Sequence, residues 1–452
     1  MAAASAPAGT GGTGLRAFRG ALLHFVDDPV DAGARAYEYF DDGLLVVDGG
    51  YVVSAGEATA ALARLPAGTP VVDRRGMLIV PGFVDTHIHY PQTDMIAAYG
   101  EQLLEWLDRY AFPHERRFDD ATHAREVAEF FLDELLRCGT TTALVYATVH
   151  PQSVDAFLTA AQARGARMIA GKVLMDRNCP EFLRDTAESG YADSKTLIGR
   201  WHGKGRLSYA VTPRFAPTST ERQLELAGRL LDEHHGVYLQ THVAENRNEV
   251  AWAAELFPWS RSYLDVYDRF GLVRPRSVYA HCIHLDDADR ERMGAAGAAM
   301  SFCPTSNLFL GSGLFDLDAA RRHGVRVGLG TDVGGGTSFS QLRTLDEAYK
   351  VAQLAGQKLS PLAAFHLATL GGARSLYLDD RIGNFLPGKE ADFVVIYPAA
   401  TPLLARRMKH ASGLQDILFA LMMLADDRAI AETWLMGQRR HARSEQAPAR
   451  AC

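Results

Sequence analysis

Between Leu78 and Gly330 the chain repeats one pattern eight times: a short apolar run ending in polar residues, then a longer amphipathic stretch. The runs are Leu78–His89, Thr141–Val149, Arg167–Met175, Leu207–Thr212, Val237–His242, Ser277–His281, Ala298–Phe302 and Val325–Gly330. Runs this short and apolar predict strands buried on both faces. The helical stretches between them are clearest at Ala124–Cys138, Val154–Arg164 and Thr220–His234. Eight such units over a few hundred residues are the count of a (β/α)8 barrel. A doubly wound sheet would place a Gly-rich nucleotide turn after its first strand, and none follows here. Gly330, Gly334, Gly335 and Gly336 lie near Asp332 without the Lys-Ser/Thr of a phosphate loop. They predict a flexible loop after a strand.

Outside this region the texture changes. Phe18–Phe25, Tyr37–Phe40, Leu44–Val47 and Tyr51–Val53 read as short strands joined by Asp/Gly turns, and similar material returns at Ala391–Tyr397 and Thr433–Met436. The expected organisation has a flexible Ala/Gly/Thr-rich tail at 1–16. A small β-sandwich domain follows, built from 17–80 together with 383–441, and the barrel occupies 81–382. At 452 residues the chain buries a large core without disulfide support.

Charge and cysteine usage narrow the class. Lys plus Arg number 47 against 54 Asp plus Glu, for a net charge of −7, which excludes non-specific binding to nucleic-acid phosphate. The five cysteines, Cys138, Cys179, Cys282, Cys303 and Cys452, are scattered and contain no Cys-x-x-Cys pair. That predicts reduced cytoplasmic thiols rather than a disulfide framework or a thiolate zinc site. The N-terminus lacks the basic and apolar regions of a secretory signal, and Ile417–Ala425 is far too short for a membrane span.

The chemistry gathers at the strand ends. The first run ends Asp85-Thr86-His87-Ile88-His89; residues two apart on a strand project the same way, so the two imidazoles can grip one cation. A lone His-x-His is weak evidence. The fifth run, however, ends at His242 and continues to Glu245, the sixth ends at His281, and the eighth leads into Asp332. In a barrel all these ends converge on the catalytic face. Imidazoles with a carboxylate and no thiolate suit zinc or iron(II), with a position left open for water. A bound dication moves the proton dissociation of water toward neutrality. Glu245 reads as a proton carrier rather than a ligand. A second metal would need a bridging lysine at the end of strand four, where Thr212-Pro213-Arg214 offers none; Lys172, one strand early, reads as a core-edge lysine. One metal per chain is expected.

Assembled, these residues resemble the amidohydrolase superfamily. Pro81-Gly82-Phe83-Val84-Asp85-Thr86-His87-Ile88-His89 and Gly383-Asn384-Phe385-Leu386-Pro387-Gly388-Lys389-Glu390-Ala391-Asp392-Phe393-Val394 carry the general likeness. Glu101–Leu107 running into Phe112–Glu115, Thr212–Phe215, Ser301–Asn307 and Gly330–Gly336 are narrower, and similar to the guanine deaminases within it. The resemblance spans about Pro81 to Val394. It implies metal ligands at His87, His89, His242 and Asp332, most simply for Zn2+, with Fe2+ as the other choice. It implies Glu245 as proton shuttle, Asp332 as proton acceptor, and His281 steadying water or substrate. Guanine contacts would fall at Gln92, Arg214, Phe215, His242, Glu245 and Asp332, and the assembly would be a homodimer.

The residue types agree: Gln92 both donates and accepts, Arg214 can hold the O6 carbonyl, and Phe215 offers an aromatic face, unless it is simply a core aromatic. The implied reaction is hydrolytic attack at C2, proton delivery to N3 through Glu245, and loss of ammonia to leave xanthine. Two rivals stand beside it. One is a sibling activity on another amino-azine such as 8-oxoguanine, cytosine or a triazine; the other is a binding module that has lost catalysis.

Overall fold

The structure, a computed structural model, describes residues 14–100 and 102–443. Most of the expected tail, Glu101 of the Glu101–Leu107 segment, and Cys452 lie outside the described residues.

Eight parallel strands stand side by side in chain order: Phe83–His89, Thr140–Tyr146, Arg167–Gly171, Ser208–Pro213, Tyr238–Val243, Ser277–His281, Ala299–Phe302 and Arg326–Leu329. We refer to them as barrel strands one to eight. Helices such as Ala121–Arg137, Pro151–Arg164 and Glu221–Glu233 pack around them, each burying the apolar face read from its spacing. The last strand returns to the first through Asp85, whose carboxylate accepts from Thr331 N (3.1 Å) and Thr331 Oγ1 (2.5 Å). Asp332 N donates to the His87 carbonyl at 2.9 Å beside it. Inside the barrel, Val84, Leu144, Ile169, Ala210, Tyr238, Val278 and Ala299 form an apolar layer closed from below by Leu376, Leu378 and Ile382. This is a filled core, so a ligand can sit only above it, at the C-terminal ends of the strands.

The terminal segments form one seven-stranded sheet. Its order is Gln438–Ala442, Ile430–Leu435, Phe393–Ile396, Val71–Pro81, Arg16–Phe25, Tyr37–Asp48, Tyr51–Glu57. The sheet rolls over on itself: Val52 N donates to the Lys389 carbonyl (2.8 Å), and Phe18, Leu45 and Val52 share a core with Phe385, Phe393 and Trp434. One boundary was hidden in the sequence. The single run Leu78–His89 is two strands, Val71–Pro81 in this sheet and Phe83–His89 in the barrel, broken at Gly82. A Cβ at Gly82 would stand 2.1 Å from Thr141 Oγ1, so only glycine lets the chain cross between the layers there.

A buried ionic cluster ties the returning segment to the barrel. Glu390 accepts from Arg167 Nε at 2.8 Å and Arg206 Nη2 at 2.7 Å, and is almost fully buried. Removing one partner leaves buried charge without compensation, which costs about 3–5 kcal/mol. Glu390→Ala is therefore expected to lower the urea midpoint by a corresponding amount. A midpoint unchanged from the parent would show the cluster to be energetically neutral.

Candidate active site

The ends of barrel strands one, five, six and eight bring His87, His89, His242, His281, Glu245 and Asp332 together, all but His242 fully buried. On strand one, Val84 points to the axis while Ile88 packs outward among the helices. Unbroken alternation would put both on the same side. A register break between Asp85 and Ile88 changes the phase, so that His87 and His89 face inward together. Strand five needs no such device: Tyr238, Gln240 and His242 alternate toward the axis. At three strand ends the backbone is held at positive φ by non-glycine residues, Ala244 (51°), His281 (70°) and Asp332 (50°). Such conformations persist only where surrounding structure over-determines them.

The donor atoms converge. His89 Nε2 is 3.3 Å from both His87 Nε2 and His242 Nε2, and Asp332 Oδ1 is 3.2 Å and 3.4 Å from the His87 and His89 nitrogens. A tetrahedral ion with bonds of about 2.0–2.1 Å needs donors about 3.3–3.4 Å apart. Four of the six donor separations lie near that value, so the cluster can accommodate a divalent metal. His242 Nδ1 donates to the Arg214 carbonyl at 2.7 Å, which leaves Nε2 as the lone pair. Burial, with the charges of neighbouring groups, holds all three imidazoles well below their ordinary values, hence neutral and ready to ligate. Cys303 lies near His87 and Asp332, and burial pushes its thiol well up.

Glu245 stands beside this cluster. Burial and the nearby charge of Asp332 push it up to about 8, opposed by the Ser312 hydroxyl, which donates to Oε1 at 3.2 Å. Its other oxygen is 3.3 Å from His281 Nε2, and His281 Nδ1 donates to Asn307 Oδ1 at 2.8 Å. With Nδ1 so engaged, His281 turns Nε2 toward Glu245. Burial likewise raises Asp85 and Glu249 to about 7 and Asp332 to about 6. In the metal-free protein these carboxylates keep protons that the unfolded chain releases above about pH 4–5. Stability is then lost as pH rises through the folded values. Chelated protein is expected to melt lower at pH 8.5 than at pH 6.5, and added metal to recover more at the higher pH. Equal recovery at both would contradict the displacement of protons by metal.

The cavity above the cluster is lined by Gln92, Arg214 and Phe215 and roofed by Leu103, Trp106 and Leu107. The roof belongs to a helical segment from Leu103 to Glu115 with a π turn at Leu107–Ala111, just before Pro113 removes a backbone donor. Phe215 packs edge-on to Trp252 and lines the cavity, in an apolar cluster with Leu103, Trp106 and Leu107 rather than in the barrel core. Four features carried no assigned role at the level of sequence: the Asp85 strap, Asn307, Ser312, and Glu115, which joins Gln92 to Arg214. All but Ser312 lie within segments that the family likeness had marked. The glycines after Asp332 also differ from expectation. They form no open loop; Gly334, Gly335 and Gly336 are buried, and added Cβ atoms would meet Gln92 Oε1 (1.9 Å), Ser306 Oγ (2.6 Å) and the Thr331 carbonyl (1.9 Å). Lys172 is not at a core edge but fully buried, ion-paired with Asp185.

Comparison with known proteins agrees with this arrangement. Residues 78–440 match the amidohydrolase family. Guanine deaminase of Escherichia coli (strain K12) is 54% identical over 427 residues, covering 94% of this chain and 97% of that one. The chain belongs to the amidohydrolase family, among the guanine deaminases. The solved structure of the E. coli enzyme superposes with a TM-score of 0.92 at 53% identity, covering 95% of this chain and 100% of that one. A guanine deaminase from C. acetobutylicum, solved with guanine in its active site, matches with a TM-score of 0.84 at 28% identity, covering 94% and 99%. Among the described residues no helix is long and apolar enough to cross a membrane.

Proposed function

We infer that this chain is a guanine aminohydrolase: water replaces the 2-amino group of guanine, giving xanthine and ammonia. The observation that carries this reading is the closure of one cavity over both halves of the task. His89, His242 and Asp332 line its floor, with His87 packed against them and Glu245 alongside, and Gln92 and Arg214 offer purine-edge hydrogen bonds from its wall. One divalent metal per chain, Zn2+ or Fe2+, would be held by His87, His89, His242 and Asp332 and would supply the charge that makes water acidic near neutrality. Glu245 takes a proton from the attacking water and places it on N3 as C2 becomes tetrahedral. Asp332 accepts the second proton, which passes through Glu245 to the departing amine, and His281 keeps Glu245 oriented. Gln92, Arg214 and Phe215 hold the base.

The same proposal includes a division into a barrel at 81–382 and a β domain of 17–80 with 383–441, supported by the separate ladders of the two sheets. A cytoplasmic location accords with the scattered cysteines, and a homodimer with the family likeness. Purified, metal-replete protein given guanine is expected to release ammonia with xanthine as co-product. No release, with metal present at one per chain, would discard guanine and turn the search to other amino-azines.

A further inference from the structure

Glu115 is a buried carboxylate that the proposed chemistry does not use. It ends the segment Phe112–Glu115, is 1% exposed, and spends its two oxygens on two different partners. Oε1 accepts from Gln92 Nε2 at 3.0 Å, and Oε2 accepts from Arg214 Nη1 at 2.6 Å. Gln92 comes from the turn after barrel strand one and Arg214 from the residue after strand four, so neither strand sets their relation. Both are themselves 2% exposed, and both line the cavity.

Both Glu115 oxygens act as acceptors, and this decides how the partners face the ligand. It holds the amide N–H side of Gln92, which leaves Oε1 as the acceptor in the cavity wall, beside Gly334, where an added Cβ would stand 1.9 Å from it. It holds one edge of the Arg214 guanidinium, whose face lies 5.1 Å from the Phe112 ring centroid. The remaining N–H groups of Arg214 are left as donors, and the cation is neutralised without help from the ligand. The wall therefore shows one acceptor and one cationic donor at fixed spacing. That pattern complements a ring N–H beside a carbonyl, the lactam edge of a 6-oxopurine. It mismatches a purine bearing hydrogen or an amine at C6. We propose that Glu115 is the positioning residue that makes this site select the lactam edge.

The proposal rests on the purine reading of the site, and it is tested by binding so that the two can fail separately. Metal-replete protein and its Glu115→Gln and Glu115→Asp variants are titrated calorimetrically with hypoxanthine, which has the lactam, and with unsubstituted purine, which lacks it. Guanine turnover by the parent is measured alongside. The parent is expected to prefer hypoxanthine by about tenfold to hundredfold, the cost of leaving buried polar groups unpaired. Glu115→Gln introduces a donor that must oppose either Gln92 or Arg214. It is expected to lose most of that preference, with KM for guanine rising more than kcat falls and metal content unchanged. Glu115→Asp, which keeps the carboxylate, should fall between. A Glu115→Gln protein that weakens for both ligands by the same factor, or a Glu115→Asp protein no better than Glu115→Gln, would overturn the proposal. If Glu115→Gln fails to fold, an undiminished preference in Glu115→Asp overturns it instead. Absence of guanine turnover by a parent that still prefers hypoxanthine would overturn the functional reading and leave the role of Glu115 standing.

Discussion

Glu245→Gln is expected to lower guanine turnover by about 10²–10⁴-fold, the range in which one positioned proton carrier contributes. Metal content should be unchanged. The carboxylate sits beside the proposed ligands, held by the Ser312 hydroxyl at one oxygen and facing His281 at the other. Glutamine fills the same volume and can keep the Ser312 contact through its carbonyl, so folding and metal binding have no cause to change. What it cannot do is carry one proton from water to the ring and a second to the leaving amine. Burial has already brought Glu245 to about 8, where protonated and ionised forms exchange at small cost near neutral pH. Ammonia release and metal per chain, measured on the same preparation, decide the matter. Near-normal turnover in the variant would sink the assigned role.

The second large effect is expected at Asp332. Among the described residues, Asp332→Asn removes the one carboxylate whose oxygen lies within 3.4 Å of both His87 and His89 nitrogens. The amide is nearly isosteric but uncharged, so the site loses the negative partner that balances a dication in a buried setting. Metal affinity is expected to fall by at least about 10²-fold, compared with the 10–100-fold typical of losing an outer-shell partner. Turnover should fall by about 10³-fold or more, because Asp332 is also the proposed acceptor of the second water proton. The two losses are separable. Saturating metal should restore occupancy while leaving turnover depressed. Restoration of full turnover by metal alone would reduce Asp332 to a ligand and remove its role in proton transfer.

Glu245→Gln and Asp332→Asn differ from Glu115→Gln in what they spare. The first two should bind purines and fail to convert them, whereas Glu115→Gln should bind them without discrimination. Together the three variants separate proton transfer, metal retention and base recognition within one cavity.

Much of this protein is legible in the order of its residues. Strand period and strand-end composition are local properties, so the eight apolar runs and the polar residues closing them could be read directly. Histidines two apart on one strand share a face, which made His87 and His89 candidates without settling them. Strand ends that a barrel gathers at one rim brought in His242, His281 and Asp332 by topology alone. Other features depended on distance in space. The register break on strand one, the crossover at Gly82 and the positive φ at Ala244, His281 and Asp332 have no local signature, since each is imposed by what packs against it. The glycines after Asp332 read as a loose loop, yet the fold uses their missing side chains to admit Gln92 and Ser306. Glu115 lies 23 residues from Gln92 and 99 from Arg214, and only the closed barrel sets one carboxylate between them. The sequence by itself thus determined the kind of fold and the set of metal-capable groups, because periodicity and residue chemistry act over a few neighbours. Which carboxylate orients the recognition wall, and which backbone is strained to aim the ligands, was decided by tertiary packing, because those energies arise only once distant segments share a buried volume.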